Sequence, residues 1–137
     1  MSTLKVTNIQ DTGGGNNSTS AEIYSGRAKA WVNFNGTGTV AIRADFNVNS
    51  ITDTATGQQT INFSNALSDA NYSAVAMCSD SGSGPGGYGT RGAPDCSCPQ
   101  DYVPTSSQIR LYTAVGGSSS GNGFAADYPH VWAAIFR

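Results

Sequence analysis

The chain has 137 residues, a formal net charge of −2 and only 12% charged residues, so it carries no strong field for gripping phosphates and nucleic-acid binding is not expected. Gly, Ser, Thr and Asn occupy 58 positions, and fifteen Val and Ile stand against three Leu, a bias toward strand formers that excludes a helical bundle or coiled coil. The longest apolar run, the six residues from Val131 to Phe136, falls far short of the about 20 residues a membrane-spanning helix needs.

Met1 to Gln10 contain one Lys and no apolar core, so no secretory signal is expected in them. Leu4 to Ile9 read as a short strand, followed by Thr12 to Ser20 with the composition of a flexible linker. Residues 1–20 are thus predicted to be an N-terminal arm, and residues 21–137 the domain proper. Leu4, Val6 and Ile9 gain little by packing locally. They are expected to add a strand to a neighbouring subunit or to dock on a larger particle.

Between this linker and Ser79 the signal is strands. Ala30, Val32 and Phe34 alternate with Trp31 and Asn33, the period of two that puts one face inward. Asn35-Gly36-Thr37-Gly38 is a turn signal, after which Val40, Ile42, Phe46 and Val48 keep the even-numbered phase. Ile51 is odd, which predicts a bulge near Asn49–Ser50. Asp53 to Gly57 turn the chain, and Ile61 and Phe63 resume the alternation. Asn65 to Asn71 fit a single helical turn or a compact loop. Further strands are expected at Tyr72–Cys78, Ser107–Ala114 and His130–Phe136. Ser79 to Ser107 contain six glycines and four of the five prolines, which predicts a long loop over 79–107 without regular structure. The prediction is an all-β fold, an antiparallel β-sandwich of about six to eight strands.

The last strand is apolar on both faces, so its outer side needs cover from a loop or from another copy of the chain. Trp31 faces away from Val32 and Phe34 and raises the same demand. Leu4, Val6, Ile9, Trp31 and Trp132 are therefore the candidate oligomer interface.

Catalytic chemistry finds little footing. His130 is the single histidine, no pair of carboxylates stands out for glycan hydrolysis, and most of the nine acids sit in turn-like contexts. No metal site and no cofactor is expected: Cys96-x-Cys98 lacks the usual zinc-knuckle spacing, and no ordered series of oxygen ligands suits calcium. Cys78, Cys96 and Cys98 are too few for a disulfide scaffold. They allow one bridge, Cys78 to Cys96, or three reduced thiols. Binding residues are better represented. The 79–107 loop holds Tyr88, Arg91, Asp95 and Tyr102, and a second loop holds Phe124. Flat aromatic faces with hydroxyl handles, oriented by Arg and Asp, suit sugar rings or another protein surface. The same tyrosines also suit a plainer role, covering the end of a sheet.

The run Ala30-Trp31-Val32-Asn33-Phe34-Asn35-Gly36-Thr37-Gly38-Thr39-Val40-Ala41-Ile42-Arg43 resembles a segment of tail-fibre and related virion proteins of tailed bacteriophages, including marine cyanophages. Phe46-Asn47-Val48, Ser50-Ile51-Thr52-Asp53, Thr60-Ile61-Asn62-Phe63 and Asp69-Ala70-Asn71-Tyr72 continue the resemblance in order. The opening Ser2 to Gln10 and the ending Ala133-Ala134-Ile135-Phe136-Arg137 are similar to that family's termini. The resemblance covers residues 1–10, 27–78 and 128–137, about half the chain, and leaves Ser79 to Ser107 unmatched. It implies a non-enzymatic virion protein, a homotrimer that contacts other virion proteins and, as a short tail fibre or fibre tip, a host-surface glycan. The alternative it leaves is a decoration protein that cements capsid or tail.

Overall fold

A computed structural model describes residues 2–15, 17–79, 94–98, 101–115 and 124–137. Two antiparallel sheets face each other across one core, as the composition predicts. The first runs in the order β4 (Ala41–Phe46), β3 (Ala28–Asn35), β11 (His130–Phe136), β7 (Ser73–Ser79). The second runs β10 (Phe124–Ala125), β9 (Gln108–Val115), β6 (Gln58–Phe63), β5 (Val48–Ala55), with β8 (Pro94–Ser97) also pairing β9.

The even phase of β3 and the odd phase of β11 fill the space between the sheets. Val32 and Phe34 are buried beside Val131, Ala133 and Ile135, and they meet Val48, Ile61, Phe63, Ile109 and Leu111 from the second sheet. Each large side chain removed from water contributes about 1.5–3 kcal/mol, so this alternation is what fixes which way each strand faces.

Between β4 and β5 the chain changes sheet at Asn47. This residue adopts a left-handed conformation, φ 57°, which Asn tolerates better than most residues. Its amide also closes the corner. Nδ2 donates to the carbonyls of Lys29 (3.1 Å) and Asn65 (3.1 Å), and Oδ1 accepts from the Asn65 backbone N–H at 2.8 Å. The register then shifts between Val48 and Ser50, the position where the slip of phase predicted a bulge.

Two sequence expectations are corrected. Phe46 does not share the inward phase of Ile42. The β3–β4 register shifts so that Phe34 pairs Ile42 while Asn33 pairs Ala44, and this bulge turns Phe46 to the outer face opposite Trp31. The 79–107 segment does contain regular structure, because Pro94–Ser97 pair with Tyr112–Val115 of β9. Pro94 is tolerated there as the first residue of a peripheral strand, where no ladder donor is required of it. Asn65–Asn71 form a loop, not a helical turn.

A polar node ties the β5–β6 turn to the C-terminal segment. Gly57, at φ +71°, lies so close to β9 that a Cβ there would sit 2.3 Å from the Thr113 carbonyl oxygen. Asp127 Oδ1 accepts from Gly57 N (2.6 Å) and from Nε2 of buried Gln59 (2.9 Å), while Thr113 Oγ1 donates to the Ala126 carbonyl at 2.7 Å. At the N-terminus, β1 (Asn8–Ile9) pairs β2 (Ser18–Thr19) antiparallel. β2 leads into α1 (Ser20–Gly26), started by a capping box in which Thr19 and Glu22 exchange hydrogen bonds.

Candidate functional site

The outer face of the four-stranded sheet is built by strand alternation alone. With Val131, Ala133 and Ile135 inward, Trp132 and Ala134 of β11 must point outward. Cross-strand register puts Trp132 between Asn33 and Met77, and Ala134 between Trp31 and Val75. Phe46 pairs Trp31 on the far side. The result is a contiguous apolar surface on which Trp31 is 40% exposed, Trp132 38%, Phe46 50%, Val75 61% and Met77 69%. It forms a shallow groove of about 400 Å³ lined chiefly by Trp31, Asn33, Val75, Met77, Trp132 and Ala134. His130 stacks on Trp132 at 5.8 Å between ring centroids and extends the aromatic surface toward the start of β11. Asn33 contributes a buried Oδ1 that has no hydrogen-bond partner.

β7 is the informative strand. Its inward positions are Ala74, Ala76 and Cys78, while its outward positions include the larger Val75 and Met77. A strand of a free-standing sandwich would place its bulk inward. Trp31 and Trp132, expected as interface residues, are thus brought onto one face, and Phe46, Val75 and Met77 join them. The signal that finds Val75 and Met77 in the sequence is the small-large alternation of Ala74 to Cys78. Phe46 is hidden by the bulge.

Leu4, Val6 and Ile9 are exposed on the arm, Leu4 at 85%. They meet no part of the sandwich core.

The loop residues fare differently. Tyr88 and Arg91, and the side chains of Asp95 and Cys96, lie outside the described residues. Tyr102 is half-buried, and its hydroxyl donates to the Gln108 carbonyl at 3.1 Å, where the Tyr72 hydroxyl donates at the same distance. Arg110 lies over the Tyr102 ring, 5.0 Å from its centroid. Burial pushes the Tyr72 hydroxyl up to about 12, aided by the neighbouring Tyr102 and Cys98. Burial also raises Tyr102, against the opposing Gln108 hydrogen bond and Arg110 charge, and raises the Cys98 thiol. Tyr102 therefore braces the sheet end. Phe124, on β10, is exposed. Cys98 carries an exposed free thiol, and Cys78 is half-buried near the end of β7.

Among the described residues no group of three His, Cys, Asp or Glu side chains comes together as a metal site. No described helix is long and apolar enough to cross a membrane. Comparison of the chain with protein-family models, with curated proteins and with solved structures returns no match.

Proposed function

We propose that this protein is a non-enzymatic, self-associating virion protein of a tailed bacteriophage, a short tail fibre or fibre tip that contributes to attachment at the host surface. The observation that carries the self-association is the outer face of β4, β3, β11 and β7. The four large apolar side chains that line its groove, Trp31, Val75, Met77 and Trp132, leave roughly 400 Å² open to water on each copy, an extent that in monomeric proteins is often functional. A neighbouring copy laid over the groove takes that surface out of water and leaves Phe46, which does not line it, free. The resemblance of the Trp31 to Tyr72 stretch to tail-fibre proteins supports the virion setting and a homotrimer.

The exposed arm favours one further feature, anchoring to other virion proteins by strand addition. That feature serves a decoration protein of capsid or tail equally well. Copy number separates the two readings, because a decoration protein scales with the capsid lattice and a fibre does not. The test is quantitative mass spectrometry of purified virions against the major capsid protein. A low, fibre-like ratio supports attachment, a lattice-like ratio replaces it with decoration, and absence from virions overturns both. In solution, Trp31→Gln with Trp132→Gln is expected to convert the oligomer to monomers by analytical ultracentrifugation. An unchanged sedimentation profile would remove the outer face from the assembly.

A further inference from the structure

A second surface feature lies where the start of β3 meets the β4–β5 corner. There an open cleft of about 380 Å³ is lined by Arg27, Ala28, Lys29, Phe46, Asn47, Ser64 and Asn65. The volume falls in the lower part of the range of small-molecule sites, roughly 300–1,000 Å³.

Charge is the first argument. The chain has a net negative charge and only seven Lys and Arg, yet two of them share this cleft and no carboxylate lines it. Both are gathered by one aromatic ring. Lys29 Nζ sits 3.5 Å from the centroid of Tyr24 and donates to the Tyr24 carbonyl, and Arg27 Cζ is 5.3 Å from the same centroid. Burial and then the Arg27 charge lower the Lys29 pKa, so the two cations are close enough to repel. Of the acids nearby in the chain, Glu22 is engaged in the helix cap and Asp69 with Arg137, the one ion pair among the described residues, while Asp45, next to Phe46, does not line the cleft. Two adjacent cations with no carboxylate among the lining residues favour an anion there.

The walls decide which anion. Phe46 offers a flat, half-exposed ring, Ser64 a hydroxyl and Asn65 an amide. Asn47 is engaged with Lys29, Ser64 and Asn65, so it sets the cleft's shape. One aromatic face, neutral donors and acceptors, and a compact pair of cations match a ring with an apolar face, hydroxyls and a single carboxylate. A polyphosphate or nucleic acid would call for a longer run of cations.

We propose that this cleft binds an acidic saccharide, a uronic-acid unit of a polysaccharide, with its carboxylate held by Arg27 and Lys29 and its ring against Phe46. The site stands on its own geometry; that its ligand comes from a host surface rests on the attachment reading.

The test is calorimetric titration of the full chain with an oligogalacturonate, its neutral galactose counterpart, inorganic phosphate and an oligoglutamate peptide. The uronate oligomer alone is expected to bind measurably. Arg27→Gln and Lys29→Gln should each weaken it about tenfold, Lys29→Arg should restore most of the affinity, and Phe46→Ser should abolish binding, all with unchanged melting temperature. Equal binding of the neutral oligomer, tighter binding of phosphate or peptide, or full affinity in the Arg27→Gln/Lys29→Gln double variant overturns the proposal. Adsorption of virions carrying that double variant separates the two readings. If the purified protein loses uronate binding while adsorption is normal, the cleft stands and its use in attachment falls. If the wild-type protein binds no uronate yet is required for adsorption, the cleft falls and attachment stands.

Discussion

At the scale of single residues, polar groups at the ends of the sheets are used with little slack. The Gln108 carbonyl takes the hydroxyls of Tyr72 and Tyr102 and also the Thr105 N–H at 3.1 Å. Burial, aided by the neighbouring Tyr102 and Cys98, favours the neutral form of Tyr72 and holds it at about 12 against an ordinary 10.0. The sign follows from linkage. With the folded pKa raised, the stabilisation is fully present below pH 10, where both states keep the proton. It is lost as pH rises from 10 toward 12, where only the folded state still binds it. Urea unfolding at pH 9 and pH 11 should therefore show a steep loss of stability in the wild type. Tyr72→Phe should be about 1 kcal/mol less stable at pH 9 and lose less between the two pH values. Equal slopes in the two proteins would show that Tyr72 does not carry the effect. Tyr102 also illustrates the limit of composition. A tyrosine in a Gly- and Pro-rich segment reads as a contact residue, and only the fold reveals that its hydroxyl is spent on the backbone.

At the scale of elements, the alternation of apolar residues was legible wherever a strand keeps one register. The inward sets of β3 and β6 are those the period of two indicates, and β11 spans the residues expected of it. Legibility failed where backbone geometry intervenes. The bulge in the β3–β4 ladder reverses Phe46, and β8 forms inside a segment whose prolines argue against a strand. Neither a bulge position nor the tolerance of a peripheral strand for proline is written in side-chain polarity. The candidate surfaces divide likewise. Trp31 and Trp132 announce themselves by facing away from the core, whereas the cleft joins residue 27 to residue 65 and exists only once the chain has changed sheet. Asn47 makes that change, so it is the residue to test. Asn47→Gly keeps the left-handed backbone and loses the amide bonds; Asn47→Ala loses both. Chemical denaturation is expected to rank them wild type, then Gly at about 1 kcal/mol lower, then Ala at about 2 kcal/mol lower. Equal losses for Gly and Ala would mean that the hydrogen bonds, and not the backbone conformation, hold the corner.

At the scale of the whole molecule, the sandwich and the arm are energetically separate. The core draws on β3, β5, β6, β9 and β11, while β1 pairs only with β2 and the arm's Leu4, Val6 and Ile9 stay in water. Such side chains add nothing to the stability of a lone subunit, so their apolar character calls for a partner. Strand addition would give them one, since an extended segment can supply the missing ladder of an exposed sheet edge and bury its side chains there. Deleting residues 2–12 separates the parts of this argument. The truncated chain keeps β2 but loses its pairing partner, so α1 frays while both sheets remain. Its melting temperature should stay within about 3 °C of the full-length value, because the lost segment buries almost no apolar surface. Its self-association through the outer face should persist in the ultracentrifuge, whereas its incorporation into virions, followed by mass spectrometry of particles grown with the truncated protein, should fall to background. Normal incorporation would show that the arm is not the anchor. A collapse of the melting temperature would show instead that the arm belongs to the fold of its own subunit.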